Sequence, residues 1–274
     1  MTIQEKNSAS RSLLLPLLCV FGTMQGSAAC DFNAPLDCVP QTDRTLCESF
    51  IKGWGPAASE ASLRVIDAKS LNQNALHAVV YGCYGRGAFE QSGHSEDSER
   101  LMFLSGRPIF PESNPAWNPG EDLIHYRLLD VRDFHGVGPD RSSIAHILFV
   151  EQTNTGSSPG RDGGAPHPSG RTLLGFWLQP DAVTEVFHQT TQETLNTRDD
   201  LGEGEYSITL STASYFEKEN RMRLETSILR EKYLPPSDEI AGKPPVPRKF
   251  LERAEEHKVQ AFRWDGLRFS TSTR

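Results

Sequence analysis

Apolar and polar positions alternate with a period of two along much of the chain. In residues 77–84, for example, Val79 and Tyr81 alternate with Val80 and Gly82. Because successive side chains of a strand point to opposite faces, this period predicts β-strands. Similar runs follow one another at short intervals with turn residues between them, which predicts roughly nine to twelve mostly antiparallel strands and very little helix.

Turn residues separate the predicted strands. Residues 179–182 read Gln-Pro-Asp-Ala, a four-residue hairpin connection with proline at a favoured turn position. A longer hairpin is predicted to turn at Glu219 and Asn220, and short helices are predicted at 45–51 and 249–256. The other predicted strand segments are "SLRVIDAKSL", "RLMFLSG", "DLIHYRLLDVRDF", "SIAHILFVEQT", "TLLGFWL" and "VTEVFHQTT".

Long connections rich in proline and glycine interrupt this pattern. Two of them are "RPIFPESNPAWNPGED" and "NTGSSPGRDGGAPHPSGR", which lack any strand or helix period. No strand–helix alternation indicates a parallel nucleotide-binding sheet. The predicted fold class is therefore mainly β: an antiparallel sandwich, a barrel or an incomplete propeller, with long Pro/Gly-rich loops and little helix.

The first 29 residues have the pattern of an export signal. Lys6 and Arg11 precede a short apolar run at 13–21, and small residues follow at 27–29. The run is too short, and too interrupted by Pro16, for a membrane span. We therefore expect cleavage after residue 29, no transmembrane segment, and a periplasmic or secreted protein.

Cys30 allows a second interpretation of the same region, since bacterial lipoproteins are cleaved before an acylated cysteine. The site resembles that motif only in part, because Ser27 occupies the position where leucine is usual. Ordinary cleavage is favoured on this ground. A lipid anchor at Cys30, which would place the protein at the outer membrane, is the alternative.

Four cysteines remain after the predicted signal, which itself contains one of the five in the chain. An even set in an exported protein indicates disulfides, and the spacings lack the close Cys-x-x-Cys pair of zinc sites. Four cysteines allow three pairings. We favour Cys30 with Cys38 and Cys47 with Cys83, because the second bond would attach the N-terminal arm to the first predicted strand.

Length and charge restrict the function classes. After the predicted cleavage, residues 30–56 are expected to form a disulfide-pinned arm and residues 57–274 a single antiparallel β domain. The formal net charge of −8 comes without any basic cluster. Such a chain is not suited to bind the phosphates of nucleic acids.

One acidic segment, "LLDVRDFHGVGPDRSS", contains candidate binding residues. Asp130, Asp133, His135 and Asp140 are interrupted by glycines, as in loops that coordinate calcium. The spacing departs from the Asp-x-Asp-x-Asp-Gly pattern, so a strand-to-strand turn is the preferred interpretation. We predict no cofactor and keep calcium as the alternative at these residues.

Several histidine, aspartate and serine residues are candidates for a catalytic site. His125 and His146 lie on predicted neighbouring strands, where with Asp133 or His135 they would form a zinc or acid–base site. Asp130 belongs to the same alternative, an exported hydrolase. Serines occur near glycines only in "TGSSPG" and "HPSGR", which lack the strand-turn-helix context of a nucleophile. No catalytic residue is therefore predicted.

Recognition is the favoured class of function. Trp117 lies in a proline-rich connection between strands and is predicted to be exposed. With Asp130, Asp133, His135 and Asp140 it makes up the predicted binding set. Rigid aromatic side chains contribute contact area at a small entropic cost, so a protein partner is favoured.

The C-terminal segment "FRWDGLRF" predicts a β-hairpin with a two-residue turn at Asp265 and Gly266. It resembles the Tyr/Phe-x-Trp-Asp-Gly-x-x-Phe hairpin that closes many exported β-rich, propeller-like periplasmic proteins of Gram-negative bacteria. Some of those are immunity or inhibitor proteins against secreted cell-wall hydrolases. The resemblance implies that Phe262 and Trp264 close the core, and that this chain is an exported binding protein of that kind. An exported hydrolase and a structural envelope protein are the alternatives.

Overall fold

The structure is a computed structural model with two antiparallel sheets and one α-helix in the part of the chain that it describes. Within each sheet, consecutive strands pair with each other. The mainly β, antiparallel fold class is confirmed, and the two sheets form a sandwich. The described residues are 30–53, 60–71, 76–86, 99–112, 114, 122–136, 143–156, 169–180, 182–198, 204–234 and 249–271.

The first sheet has four strands, preceded by a short helical region. A 3-10 helix at Pro35–Cys38 leads into the helix α1 at Gln41–Gly53. The helix predicted at 45–51 is thus confirmed, with four more residues at its start and two more at its end. The strands are β1 (Glu60–Ser70), β2 (His77–Arg86), β3 (Glu99–Leu104) and β4 (Pro108–Ile109).

The second sheet is an eight-stranded meander with β5 at one edge and β12 at the other. Its strands follow the order of the chain. A 3-10 helix at Glu217–Glu219 and a left-handed Asn220 make the turn between β9 and β10, where the sequence predicts it. The strands are β5 (Asp122–His135), β6 (Ile144–Gly156), β7 (Ser169–Leu178), β8 (Val183–Arg198), β9 (Gly204–Phe216), β10 (Arg221–Leu234), β11 (Lys249–Trp264) and β12 (Phe269–Thr271).

A first core lies between the two sheets. Leu148 and Val150 of β6 point into it and are fully buried. From the first sheet, Val80 and Phe103 meet them, and Phe103 contacts the ring of Phe176 edge-on at 5.4 Å. The alternate residues of β6, Ile147 and Phe149, point to the opposite face of the large sheet and do not belong to this core.

A second core lies on the opposite face of the large sheet. Phe149 of β6 contacts Tyr215 of β9 at 4.8 Å between ring centroids, across a sheet that curves over itself. Phe134 on β5 and Phe269 on β12 meet at 5.0 Å, so the two edge strands approach through side chains. Within the described residues the backbones of these two strands are not paired. Trp264 is fully buried in this core.

The N-terminal segment covers the outer face of the first sheet. Val39 packs there against Val79 and Met102 in a third apolar cluster. Asp43 of α1, which is 3% exposed, accepts hydrogen bonds from Tyr81 Oη at 2.5 Å and Arg100 at 2.7 Å. These contacts attach α1 to β2 and β3. None of the helices in the described ranges is long and apolar enough to cross a membrane.

One of the two predicted disulfides is formed. Cys47 of α1 is bonded to Cys83 of β2, so the bond ends on the second strand and not on the first. Cys30 and Cys38 are free thiols, although their side chains are hydrogen-bonded to each other. The expected Cys30–Cys38 bond is therefore absent from the structure. The predicted export signal at 1–29 lies outside the described residues.

The helix predicted at 249–256 is wrong, because these residues belong to β11. Leu, Glu, Ala and Lys are strong helix formers, and they dominate this segment. Pairing with β10 along its whole length overrides that local preference. A helix here would leave the N–H and C=O groups of one side of β10 without their ladder.

The C-terminal hairpin is present, but its turn is longer than predicted. Trp264 pairs with Phe269, which leaves a four-residue connection in place of a two-residue one. The side chain of Asp265 accepts hydrogen bonds from the backbone N–H groups of Leu267 and Arg268, both at 2.9 Å. These bonds lower the pKa of Asp265. Gly266 supplies the positive φ of 99° that the turn requires.

Replacing Trp264 by Ala is expected to lower the free energy of unfolding by about 3–5 kcal/mol, since it removes a fully buried aromatic side chain. Chemical denaturation of the disulfide-intact protein measures it. Leu267→Ala is the matched control in the same hairpin; Leu267 is 72% exposed, and its loss should change stability by less than about 0.5 kcal/mol. Equal losses in both variants would contradict this assignment of the core.

Replacing Cys47 and Cys83 together by Ser is expected to lower the free energy of unfolding by about 3–4 kcal/mol, because the bond closes a loop with a sequence separation of 36. Cys30→Ser, which removes an unbonded thiol, should cost much less. Unfolding curves of the three proteins under non-reducing conditions provide the comparison. A double variant as stable as the parent would show that the bond does not restrict the unfolded chain.

Candidate functional site

The predicted binding set is only partly described by the structure. Asp130, Asp133 and His135 lie on β5, while Trp117 and Asp140 fall outside the described residues. Asp133 lies opposite His146 of β6, with 2.7 Å between Oδ1 and Nδ1. Asp133 is therefore part of a cross-strand pair.

The other members of the set face different partners. Asp130 lies 3.6 Å from Lys69 Nζ and 3.4 Å from Arg132. The backbone N–H of His135 donates to the side-chain oxygen of Asn220 at 2.7 Å. These side chains do not converge on one point. Among the described residues, no group of three or more His, Cys, Asp or Glu side chains is arranged to hold a metal ion.

The expected approach of His125 to His146 is not found. His125 pairs with Thr153 and lies 3.1 Å from Glu99 of the first sheet, whereas His146 pairs with Asp133. Eight residues of strand separate His125 from Asp133, which is roughly 25 Å at about 3.3 Å per residue. The acid–base site proposed from these residues is therefore not assembled.

Glu99 instead has a structural role between the sheets. Its carboxylate is 8% exposed and accepts a hydrogen bond from the backbone N–H of Tyr126 at 2.7 Å. The hydroxyl of Tyr126 donates to Asn114 Oδ1 at 3.1 Å. Burial raises the pKa of Tyr126. These groups are satisfied by one another, which is what a buried polar contact between sheets requires.

A pocket of about 280 Å³ lies beside the C-terminal hairpin. Phe187, Phe262 and Phe269 line it, with Arg268 at the same site. Glu185 also borders it. In the β7–β8 ladder Glu185 lies directly opposite Phe176, whose side chain points into the first core. The carboxylate is thus on the other face of the sheet from the Phe187 ring. His188 also lines the pocket, and its Nδ1 lies 2.9 Å from Glu185 Oε1. The lining thus combines three aromatic rings with a few polar side chains that bond to each other, whereas small-ligand sites usually aim several polar groups at one point.

A larger surface is formed where the last long strands leave both cores. In β10, Met222, Leu224 and Thr226 are buried, but the alternation of buried and exposed residues ends after Thr226. In β11, every residue from 251 to 260 is exposed. We call the outer parts of β9, β10 and β11, residues 204–212, 225–234 and 249–260, the ribbon.

The face of the ribbon that continues from the solvent side of β10 has two cross-strand rows. In one row Ser227 lies between Leu210 and His257, and Ser227 Oγ is 3.0 Å from His257 Nδ1. In the next row Glu225 lies between Thr212 and Val259. We call this surface the outer ribbon face, formed by Leu210, Thr212, Glu225, Ser227, His257 and Val259.

The outer ribbon face combines exposed apolar side chains with polar groups. Leu210 is 51% exposed and Val259 is 59% exposed. Between them lie the Ser227–His257 hydrogen bond and the carboxylate of Glu225. Exposed apolar side chains mixed with hydrogen-bonding groups are found in surfaces that bind other proteins.

Charges of both signs occupy β11 of the ribbon. Arg253 lies 2.8 Å from Glu255, and Lys258 lies 3.0 Å from Glu256. All four side chains are about half exposed, so each pair contributes little to stability. Their significance is in the charge pattern that the strand presents to a partner.

Sequence reasoning missed Ser227 and His257. The two residues are 30 positions apart, and only the register of β10 with β11 places them side by side. The alternation of Arg223 and Glu225 with Met222 and Leu224 in the sequence is itself the pattern of a strand with one solvent face. Because a helix was predicted at 249–256, β11 was not identified as the strand that pairs with β10.

Comparison of the chain with protein-family models, curated proteins and solved structures gave no match. The geometry of the described residues is therefore the basis for the functional argument.

Buried tyrosines should make the protein less stable at high pH. Burial raises the pKa of Tyr215 to about 12 and raises that of Tyr81, which also donates to Asp43. Between about pH 10 and pH 12 the unfolded tyrosines ionise while the folded ones stay neutral, so stability present below pH 10 is lost as pH rises.

The expected slope is about 1.4 kcal/mol per pH unit for each such tyrosine. Denaturant unfolding at several pH values above 9 measures it, and Tyr215→Phe should reduce the slope by about one tyrosine's share. An unchanged slope in that variant would mean that Tyr215 ionises equally in the folded and unfolded states.

Proposed function

We propose that this protein acts by binding another protein through the outer ribbon face. One observation carries the proposal. Two exposed apolar residues, Leu210 and Val259, and the Ser227–His257 hydrogen bond lie on the same face of three adjacent strands. A sheet face is rigid, so little conformational entropy is lost when a partner binds.

The shape and charge of the surface favour a protein as the partner. The outer ribbon face is an open sheet surface, whereas small ligands prefer concave sites that enclose most of their area. Two rows of three residues, with strands about 4.8 Å apart and rows about 7 Å apart, give this surface an area of roughly 200 Å². The net charge of −8 argues against nucleic acid.

The cellular setting belongs to the same proposal. The Cys47–Cys83 disulfide supports an oxidising compartment, because such bonds are rare in reducing cytoplasm. With the export signal predicted at 1–29, the protein would act in the periplasm or outside the cell. The partner we propose is a secreted cell-wall hydrolase, which the protein would inhibit as an inhibitor or immunity protein.

An exported hydrolase is the second candidate, and the observation that favours it is the Asp133–His146 contact at 2.7 Å. A carboxylate that orients a histidine is one part of an acid–base site. His125 lies too far along β5 to complete it. The binding function is therefore preferred.

Affinity capture tests the proposal with the disulfide-intact protein as bait, incubated with periplasmic and secreted fractions. Leu210→Glu should abolish retention of a stoichiometric protein, because it places a charge at one of the two apolar contacts of this surface. Leu267→Glu is the matched control, since Leu267 is exposed at the distant C-terminal turn. Both variants are first checked for an unchanged circular dichroism spectrum.

Wall-degrading activity of the same fractions gives the second readout. The unmodified protein and Leu267→Glu should reduce that activity, and Leu210→Glu should not. Retention of the same partner by all three baits would show that the outer ribbon face is not the binding surface. Unchanged wall-degrading activity with a captured partner would refute the inhibitor role while leaving the binding role in place.

A further inference from the structure

The strand β11 presents a long edge of the eight-stranded sheet. One side of it pairs with β10 along the whole strand, whereas β12 pairs on the other side only with Phe262, Arg263 and Trp264. Within the described ranges, no strand pairs with that side of residues 249–261. An edge of this kind has N–H and C=O groups available for another strand.

The sequence of this edge is complementary to itself when it is read in the opposite direction. Glu255 is the centre of "LERAEEHKV", and the acidic Glu252 and basic Lys258 lie three residues on either side of it. The exposed apolar residues Leu251 and Val259 lie four residues on either side. A second copy of the strand, placed antiparallel about Glu255, therefore meets opposite charge at positions 252 and 258, with the apolar residues just outside that segment.

We propose that two copies of this chain pair through β11, antiparallel, with the twofold axis at Glu255. Glu252 then lies opposite Lys258 of the partner subunit, and Lys258 opposite the partner's Glu252, on one face of the joined sheet. Arg253 lies opposite the partner's His257 on the other face. The two eight-stranded sheets become one continuous sheet.

The Glu255 carboxylates meet at the axis, where like charges would repel each other. Arg253 lies 2.8 Å from Glu255 within each copy and offsets that repulsion. The β10–β11 ladder shifts register between Glu252 and Phe250, which marks a bulge at Leu251. Bulges end regular pairing, so the paired segment is expected to be 252–258.

Dimerisation would enlarge the binding surface proposed above. The outer ribbon faces of the two copies lie on the same side of the joined sheet, because a twofold axis perpendicular to the sheet preserves its faces. Their combined area of roughly 400 Å² is twice that of one copy and about half of the roughly 800 Å² per partner of a standard protein interface. The dimer itself does not depend on any partner, so it can be tested separately.

Disulfide cross-linking tests the register. Residues directly opposite each other in antiparallel strands have Cα atoms roughly 4.5–5.5 Å apart, within disulfide reach. Glu255→Cys should therefore form a covalent dimer under mild oxidation. Thr212→Cys is the matched control, since it is exposed on the same face but two strands from the edge. The unmodified protein gives the background from Cys30 and Cys38.

Charge reversal tests the energetics in the protein without added cysteines. Lys258→Glu turns two attractive pairs into repulsive ones and should weaken dimerisation about tenfold or more in sedimentation equilibrium. Glu252→Lys combined with Lys258→Glu restores opposite charges across the interface and should restore dimerisation. A variant that merely failed to fold would not be rescued in this way.

A protein that sediments as a monomer at all concentrations tested would overturn the inference. So would cross-linking of Glu255→Cys no greater than that of Thr212→Cys. Leu210→Glu, which lies off the edge, should dimerise normally even though it fails to capture a partner. Loss of dimer and loss of partner binding are thus distinguishable.

Discussion

The architecture depends on β6, which has to be buried on both faces. Ile147, Leu148, Phe149 and Val150 are consecutive and at most 1% exposed. An antiparallel strand usually has one wet face, so a strand of this kind requires a covering layer on each side. The four-stranded sheet supplies one layer, and the curvature of the large sheet supplies the other through Tyr215 and Phe269.

The ribbon follows from the same constraint. Strands β5 to β8 contribute to both cores, whereas β10 and β11 contribute only Met222, Leu224, Phe262 and Trp264 at one end, to the second core. The rest of β10 and β11 extends past the region that either core covers. Thr226 is the last buried position of β10 in the stretch 221–232, and no residue of β11 from 251 to 261 is buried. Beyond these positions the strands are held by their ladder and by surface pairs, and their side chains remain available to a partner.

The sequence predicted the strands well and the site poorly, for one physical reason. Alternation is local, so it identified β2, β5 and β10 within a few residues. Register is not local. The contact of Ser227 with His257 depends on how two strands align, and so does the separation of His125 from His146. The helix-favouring composition of 249–256 added an error, because pairing with β10 overrode it.

An edge strand that is meant to pair specifically has to resist pairing at random. Exposed apolar edges aggregate, and charged side chains are a common protection against it. In β11, Glu252, Arg253, Glu255, Glu256 and Lys258 give that protection. Sliding the proposed pairing by one register step moves the centre from Glu255 to Ala254 or Glu256. Centred on Ala254, Arg253 would face the partner's Glu255, but Glu252 would face the partner's Glu256. Centred on Glu256, two carboxylates would meet at the axis, as in the proposed register, but Glu252 and Lys258 would no longer face each other. The Glu252–Lys258 pair is therefore the contact that favours the register centred on Glu255.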